Sequence, residues 1–146
     1  MTTPPPDAAK ARSSHFLQML IATAMGDSLG LAFENMSKRR VRQRAKGPVG
    51  QRFLFGKGMI SDDTEHALLT ARSLMDAQGN AAVFEQALSK RLKRWLIALA
   101  PGVGKATLMS IVSMWFREPS RCGRPSAGNG PLMRAPIIGL YYNQDQ

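Results

Sequence analysis

The sequence predicts an all-α domain. Three observations carry that reading: apolar residues recur three and four positions apart in successive segments, capping residues bracket those segments, and no window alternates apolar with polar residues as a strand would. Residues 1–12 contain the run Pro4 to Pro6 and little that could pack, so they read as a disordered leader, with the folded part at 13–146. Phe16, Leu17, Leu20 and Ala24 then mark a first helix whose period runs on to Leu31 and Phe33. Ser61 stands before Asp62, Asp63 and Glu65 as an N-cap before an acidic first turn. It opens a second helix through Ala67, Leu68, Ala71, Leu74 and Met75, which Gly79 is placed to end. Asn80 caps a third helix through Phe84, Leu88, Trp95 and Leu99, stopped by Pro101 and Gly102. A fourth spans Ala106 to Arg117 and is closed by Pro119. A loop rich in Gly, Pro and Ser follows to Gly130, and a last apolar segment from Leu132 to Tyr142 reads as helical despite Pro136. No repeat and no composition shift divides 13–142 into two domains.

Composition narrows the chemistry. The 146 residues hold 20 basic and 10 acidic side chains, a net charge of +10, which points to nucleic acid, an acidic surface or a phosphate-bearing ligand. One cysteine excludes an internal disulfide and a cysteine-rich zinc site, and two histidines, His15 and His66, argue against a histidine-built metal site. A metal here would be a hard cation held by oxygen. Gln18 and Asp27 interrupt the apolar stretch that would otherwise approach the roughly 20 residues of a membrane span. Lys10 and Arg12 followed by Ala22-Thr23-Ala24 has the form of an export signal. The helical period continues past the cleavage position, however, and a cytoplasmic location is expected.

Five segments carry candidate chemistry. Gly102 to Thr107 resembles a phosphate loop but has Leu99 where the first glycine belongs and Ala106 where Ser or Thr belongs, so a helix connection is the preferred reading. Lys38 to Lys46 is a basic run inside a stretch, Asn35 to Ser61, without one acidic residue. It reads as a solvated loop or as a contact for phosphate or nucleic acid, although its nearest aromatic residues, Phe53 and Phe55, lie outside it. Ser61-Asp62-Asp63 sets a hydroxyl and two carboxylates at a helix start, where they can converge on a hard cation or simply answer the helix dipole. Gly26 and Gly30 sit inside an apolar helix, which weakens it unless close packing or a ligand compensates. Gly128 to Gly130 form a flexible loop whose free N–H groups can receive phosphate.

Taken in order, Gly26-Asp27-x-x-Gly30-x-x-x-Glu34, Ser61-Asp62-Asp63-Thr64-Glu65-His66 and Gly128-Asn129-Gly130-x-x-Met133-Arg134 resemble the ADP-ribosylglycohydrolase family. The resemblance implies an orthogonal multi-helix bundle and two Mg²⁺ or Mn²⁺ ions. It implies hydrolysis of the bond between ADP-ribose and a protein side chain, with an ADP-ribosylated protein or ADP-ribose as partner. By it, Glu34, Ser61, Asp62 and Asp63 match metal-site positions, Asp62 and Asp63 carry the catalysis, and Gly128, Asn129 and Gly130 match the ADP-ribose loop. Family members are longer and close the metal site with a second acidic cluster, D-x-D-[ST]. After Glu118 the only carboxylate side chain here is Asp145, so the ligand set is incomplete and the chain is expected to be an N-terminal portion of such a domain. A second chain supplying the missing ligands, a non-catalytic module for ADP-ribose or another phosphate ligand, and a basic nucleic-acid-binding protein are the alternative expectations.

Overall fold

A computed structural model describes residues 6–48, 50–98, 103–126, 128 and 130–143, with the side chains of 6–13 and of residue 54 left aside. Among the described residues there are six α-helices and no strand: α1 (Pro6–Gly30), α2 (Lys38–Arg44), α3 (Asp62–Ala77), α4 (Ala81–Ile97), α5 (Lys105–Ser113) and α6 (Ala135–Tyr142). Single 3-10 turns follow α1 at Leu31–Phe33, precede α3 at Leu54–Gly56, and follow α5 at Pro119–Arg121. The all-α expectation holds.

α3 is the central element, packed against α4, α1 and α6, while α5 packs on α4. Its residues explain why it can be enclosed. Ala67, Ala71, Ala77, Thr70 and Ser73 are small and buried, so neighbouring helices approach closely. The two hydroxyls cost little there, because Thr70 Oγ1 donates to the His66 carbonyl at 2.8 Å and Ser73 Oγ to the Leu69 carbonyl at 2.7 Å. One apolar cluster joins Ala67, Ala71 and Leu74 of α3 to Ile137 of α6, with Phe16, Met19 and Leu20 of α1 against it. A second joins Leu92 and Trp95 of α4 to Ile111 of α5. The caps lie where the sequence places them: Ser61 Oγ accepts from the Asp63 N–H and Asn80 Oδ1 from the Val83 N–H. α3 ends at Ala77, with Gln78 in the left-handed region and Gly79 following at positive φ.

Four expectations change. Residues 6–12, read as leader, are the opening turns of α1: Pro6 supplies a preset φ at the helix start, and Ala8, Ala9, Lys10, Ala11 and Arg12 are strong helix formers that the preceding prolines masked. Residues 1–5 lie outside the description. The basic run, read as a loop, is α2. Ser37 caps it by accepting from the Arg40 N–H, and the Arg52 guanidinium donates to the carbonyls of Arg44, Lys46 and Pro48 at 2.5, 3.0 and 3.3 Å, closing its C-terminal end. The last helix begins at Ala135, preceded by turns bonded to the Pro131 carbonyl, and Pro136 in its first turn forfeits no hydrogen bond. Finally, Ser14–Phe33 is long and apolar enough to cross a membrane by length and composition despite Gln18 and Asp27. In the fold that apolarity is used on one side against α3 and α6, while Leu17, Ile21 and Met25 remain exposed on the other.

Candidate functional site

The three sequence segments that suggested chemistry line a single cavity of about 960 Å³, within the usual range for small-molecule sites. Its first wall is the junction of α1 with α3. Asp27, one turn before the end of α1, is tied to the start of α3: Oδ2 accepts from the Ser61 N–H at 2.8 Å, the Thr64 N–H at 3.2 Å and the Thr64 hydroxyl at 2.5 Å, and Oδ1 accepts from the Ser61 hydroxyl at 2.7 Å. Asp27 therefore caps α3 from a different helix, using the first-turn N–H groups that a helix leaves unpaired. Burial alone would raise its pKa, but the four bonds outweigh it and hold the carboxyl below its ordinary value.

Asp62 and Asp63, in the first turn of α3, and Glu34, after α1, stand on the same wall. The Asp62 pKa is pushed up by burial and then by the charges of Asp63, Glu34 and Asp27; that of Asp63 is pushed up by burial and then by Asp27. The wall is thus a set of carboxylates under mutual repulsion. Gly26 and Gly30 face it from α1, and a Cβ added at either would meet nothing within 4 Å. Close packing does not account for these glycines; open space in the cavity wall does.

The cavity is also lined by basic side chains and backbone donors. Lys105, Ala106 and Thr107 open α5, whose N-cap Gly104 offers no side-chain bond to the first-turn N–H groups, and Arg124, Gly128, Gly130 and Arg134 come from the loop before α6. Gly130 lies close to α5: a Cβ there would sit 3.4 Å from Thr107 Oγ1. Leu92, Ile111, Met114 and Met133 supply apolar lining. Glu34, Ser61, Asp62, Asp63, Gly128 and Gly130 therefore come together as the sequence segments suggested, and Asn129 lies outside the described residues. Sequence reasoning gave no role to Arg124, to Arg134 of the third motif, or to Lys105 and Thr107 of the Gly102 to Thr107 segment. The Gly102 to Thr107 segment signalled part of this group, since a glycine-rich connection opening a helix leaves N–H groups free even where it is no triphosphate loop.

Mg²⁺ or Mn²⁺ would find oxygens of the right hardness at Glu34, Ser61, Asp62 and Asp63. Ser61 Oγ–H and the Asp27 oxygens are already engaged with one another, however, and no three Asp, Glu, His or Cys side chains among the described residues close on one point. The described residues do not fit a complete ion shell.

Behind this wall His66 is fully buried. Its Nδ1 lies 3.0 Å from an Arg134 nitrogen and its ring meets Trp95 edge-on at 4.4 Å, while the Trp95 indole N–H donates to Glu65 at 2.5 Å. Burial, then the Arg134 charge, lowers the His66 pKa from 6.5 to about 4. Stability is therefore full above pH 6.5 and falls as the pH drops toward 4, because the unfolded chain takes up a proton that the folded one refuses. The expected loss across that window is about 3 kcal/mol at most. Urea unfolding at a series of pH values should show this acid limb flattened in His66→Gln; an unchanged limb would assign it to other groups.

The sequence matches the ADP-ribosylglycohydrolase family over residues 8–146. It is 27% identical over 142 positions to an uncharacterised protein of Archaeoglobus fulgidus, an overlap that covers 88% of this chain and 43% of that one. The chain thus spans less than half the length of the relative. No solved structure matches it.

Proposed function

The chain belongs to the ADP-ribosylglycohydrolase family, and we propose that its cavity takes ADP-ribose attached to a protein side chain and serves hydrolysis of the linking bond. The observation that carries this reading is the mixed lining of one cavity, which holds the carboxylates of Glu34, Asp62 and Asp63 together with the glycine loop of Gly128 and Gly130. The ligand is mixed in the same way. Its ribose is rich in hydroxyl donors that carboxylates accept, and its pyrophosphate is an acceptor that backbone N–H groups and cations receive.

In the reaction, water attacks the anomeric carbon and the bond from that carbon to the protein side chain breaks. The departing side chain takes a proton, and ADP-ribose is released. Asp62 or Asp63 accepts the proton of the attacking water, and the negative wall stabilises the positive charge that develops on the sugar. A carboxylate whose pKa is raised, here by burial and then by neighbouring carboxylates, is a better proton acceptor than an ordinary one. In the family reading a divalent ion belongs beside these carboxylates, held with oxygens additional to those described.

The test is release of ADP-ribose from an ADP-ribosylated protein incubated with this chain and Mg²⁺ or Mn²⁺. Release above the rate without protein is the expected result, and its absence would remove hydrolysis from this chain. A chain that bound ADP-ribose without releasing it would be a binding module instead.

A further inference from the structure

We infer that Arg134 is the anion-holding side chain of the cavity and that His66 positions it, so that a phosphate or pyrophosphate group of the ligand is received there. The inference rests on the functional reading above. Arg134 lines the cavity at the foot of α6, and burial lowers the pKa of its guanidinium. Arginine has donors only, so the 3.0 Å contact fixes its own direction: the guanidinium donates, His66 Nδ1 accepts, and the imidazole proton is on Nε2. His66 Nε2 is buried and finds no hydrogen-bond partner among the described residues.

The polar partner that the structure gives Arg134 is therefore uncharged. Among the described residues the ion pair is elsewhere, between Arg91 and Asp76 at 2.6 Å, and none of the cavity carboxylates reaches the Arg134 guanidinium. Among the described residues this half-buried guanidinium has one of its five donors engaged, by a neutral group, and no carboxylate partner. An oxyanion entering the cavity completes that set, and the planar fork suits two oxygens of one phosphate.

The choice of partner is informative. A carboxylate in place of His66 would orient the arginine and cancel its charge; a neutral imidazole orients it and leaves the charge for a ligand. The imidazole is itself held by Trp95 at 4.4 Å, and Trp95 is anchored by its indole N–H on Glu65. The contacts Glu65 to Trp95, Trp95 to His66 and His66 to Arg134 connect α3 and α4 to the cavity lining.

The experiment is calorimetric titration of the full chain with ADP-ribose and, separately, with inorganic pyrophosphate, at several salt concentrations. Arg134→Gln should weaken both ligands by about tenfold to a hundredfold, the range for a hydrogen bond to a charged group, and reduce the salt dependence of binding. His66→Leu should weaken both by a smaller factor, and His66→Gln, which returns a neutral acceptor, should restore most of it. If Arg134→Gln does not fold, the His66→Leu and His66→Gln pair carries the same test. A role in stability alone would leave ligand affinity and its salt dependence at parent values in the folded variants, and that result overturns the inference. ADP-ribose bound equally by parent and Arg134→Gln would keep the functional reading and overturn this one. Pyrophosphate bound through Arg134 with no binding of ADP-ribose would do the reverse.

Discussion

Asp27→Ala lowers the free energy of unfolding by about 3 kcal/mol, the combined effect of losing a cap and of stranding buried donors. The carboxylate accepts four hydrogen bonds from two residues of a different helix, and one of them, Thr64, is only 3% exposed. Water cannot readily replace what Thr64 loses. Asp27→Asn should fall between parent and Asp27→Ala, because one oxygen still accepts while the new amide N–H₂ confronts the donors of Ser61 and Thr64. Urea unfolding checks the order. A loss under about 1 kcal/mol for Asp27→Ala would show that the α1–α3 junction is held by apolar contacts, with the capping carboxylate contributing little.

Asp62→Asn and Asp63→Asn should each cut ADP-ribose release at least about a hundredfold, the usual scale for removing a positioned proton acceptor. Neither should lower the melting temperature. Helix N-termini favour acids, but burial and the surrounding carboxylates push the pKa of both residues up, so the ionised forms are disfavoured in the fold. Neutralising one relieves the other. A variant that loses release and melts far below the parent would mark the residue as structural. Release unchanged in both would take the proton-accepting role away from this wall.

Local features of the fold were legible in the sequence. Ser61 and Asn80 were legible as caps because capping is local: a hydroxyl or amide beside a helix start meets N–H groups two or three residues on. α3 and α4 were legible because their apolar residues keep the helical period. α2 was not, since five of its seven residues are Lys or Arg and no apolar stripe reports the helix; what holds it is Arg52, from beyond its end. Residues 6–12 were hidden by the prolines before them, and Pro6 belongs to the helix start.

For the site, the glycine and acidic segments announced themselves, and the resemblance placed them in one family. Their meeting in one cavity depends on contacts between residues far apart in the chain, such as Asp27 with Ser61 and Arg134 with His66. No local spacing encodes such pairs. The functional reading of Asp27 as one residue of a motif thus omitted its structural work, and Arg134 stood in a motif without a role.

The positive charge takes on a more specific meaning as well. Lys105, Arg124 and Arg134 line the same cavity as the acids, whereas the basic side chains of α2 are largely exposed. The first group is placed to act on a ligand; the second forms a charged helix of its own.

The most direct measurement is titration of the chain with ADP-ribose, comparing the parent with Gly130→Val. The cavity interpretation predicts one ligand per chain for the parent. It predicts severe weakening for Gly130→Val, because even a Cβ at Gly130 lies 3.4 Å from Thr107 and a larger side chain fills the space between the loop and α5. No binding by the folded parent, or equal binding by the two, would contradict it.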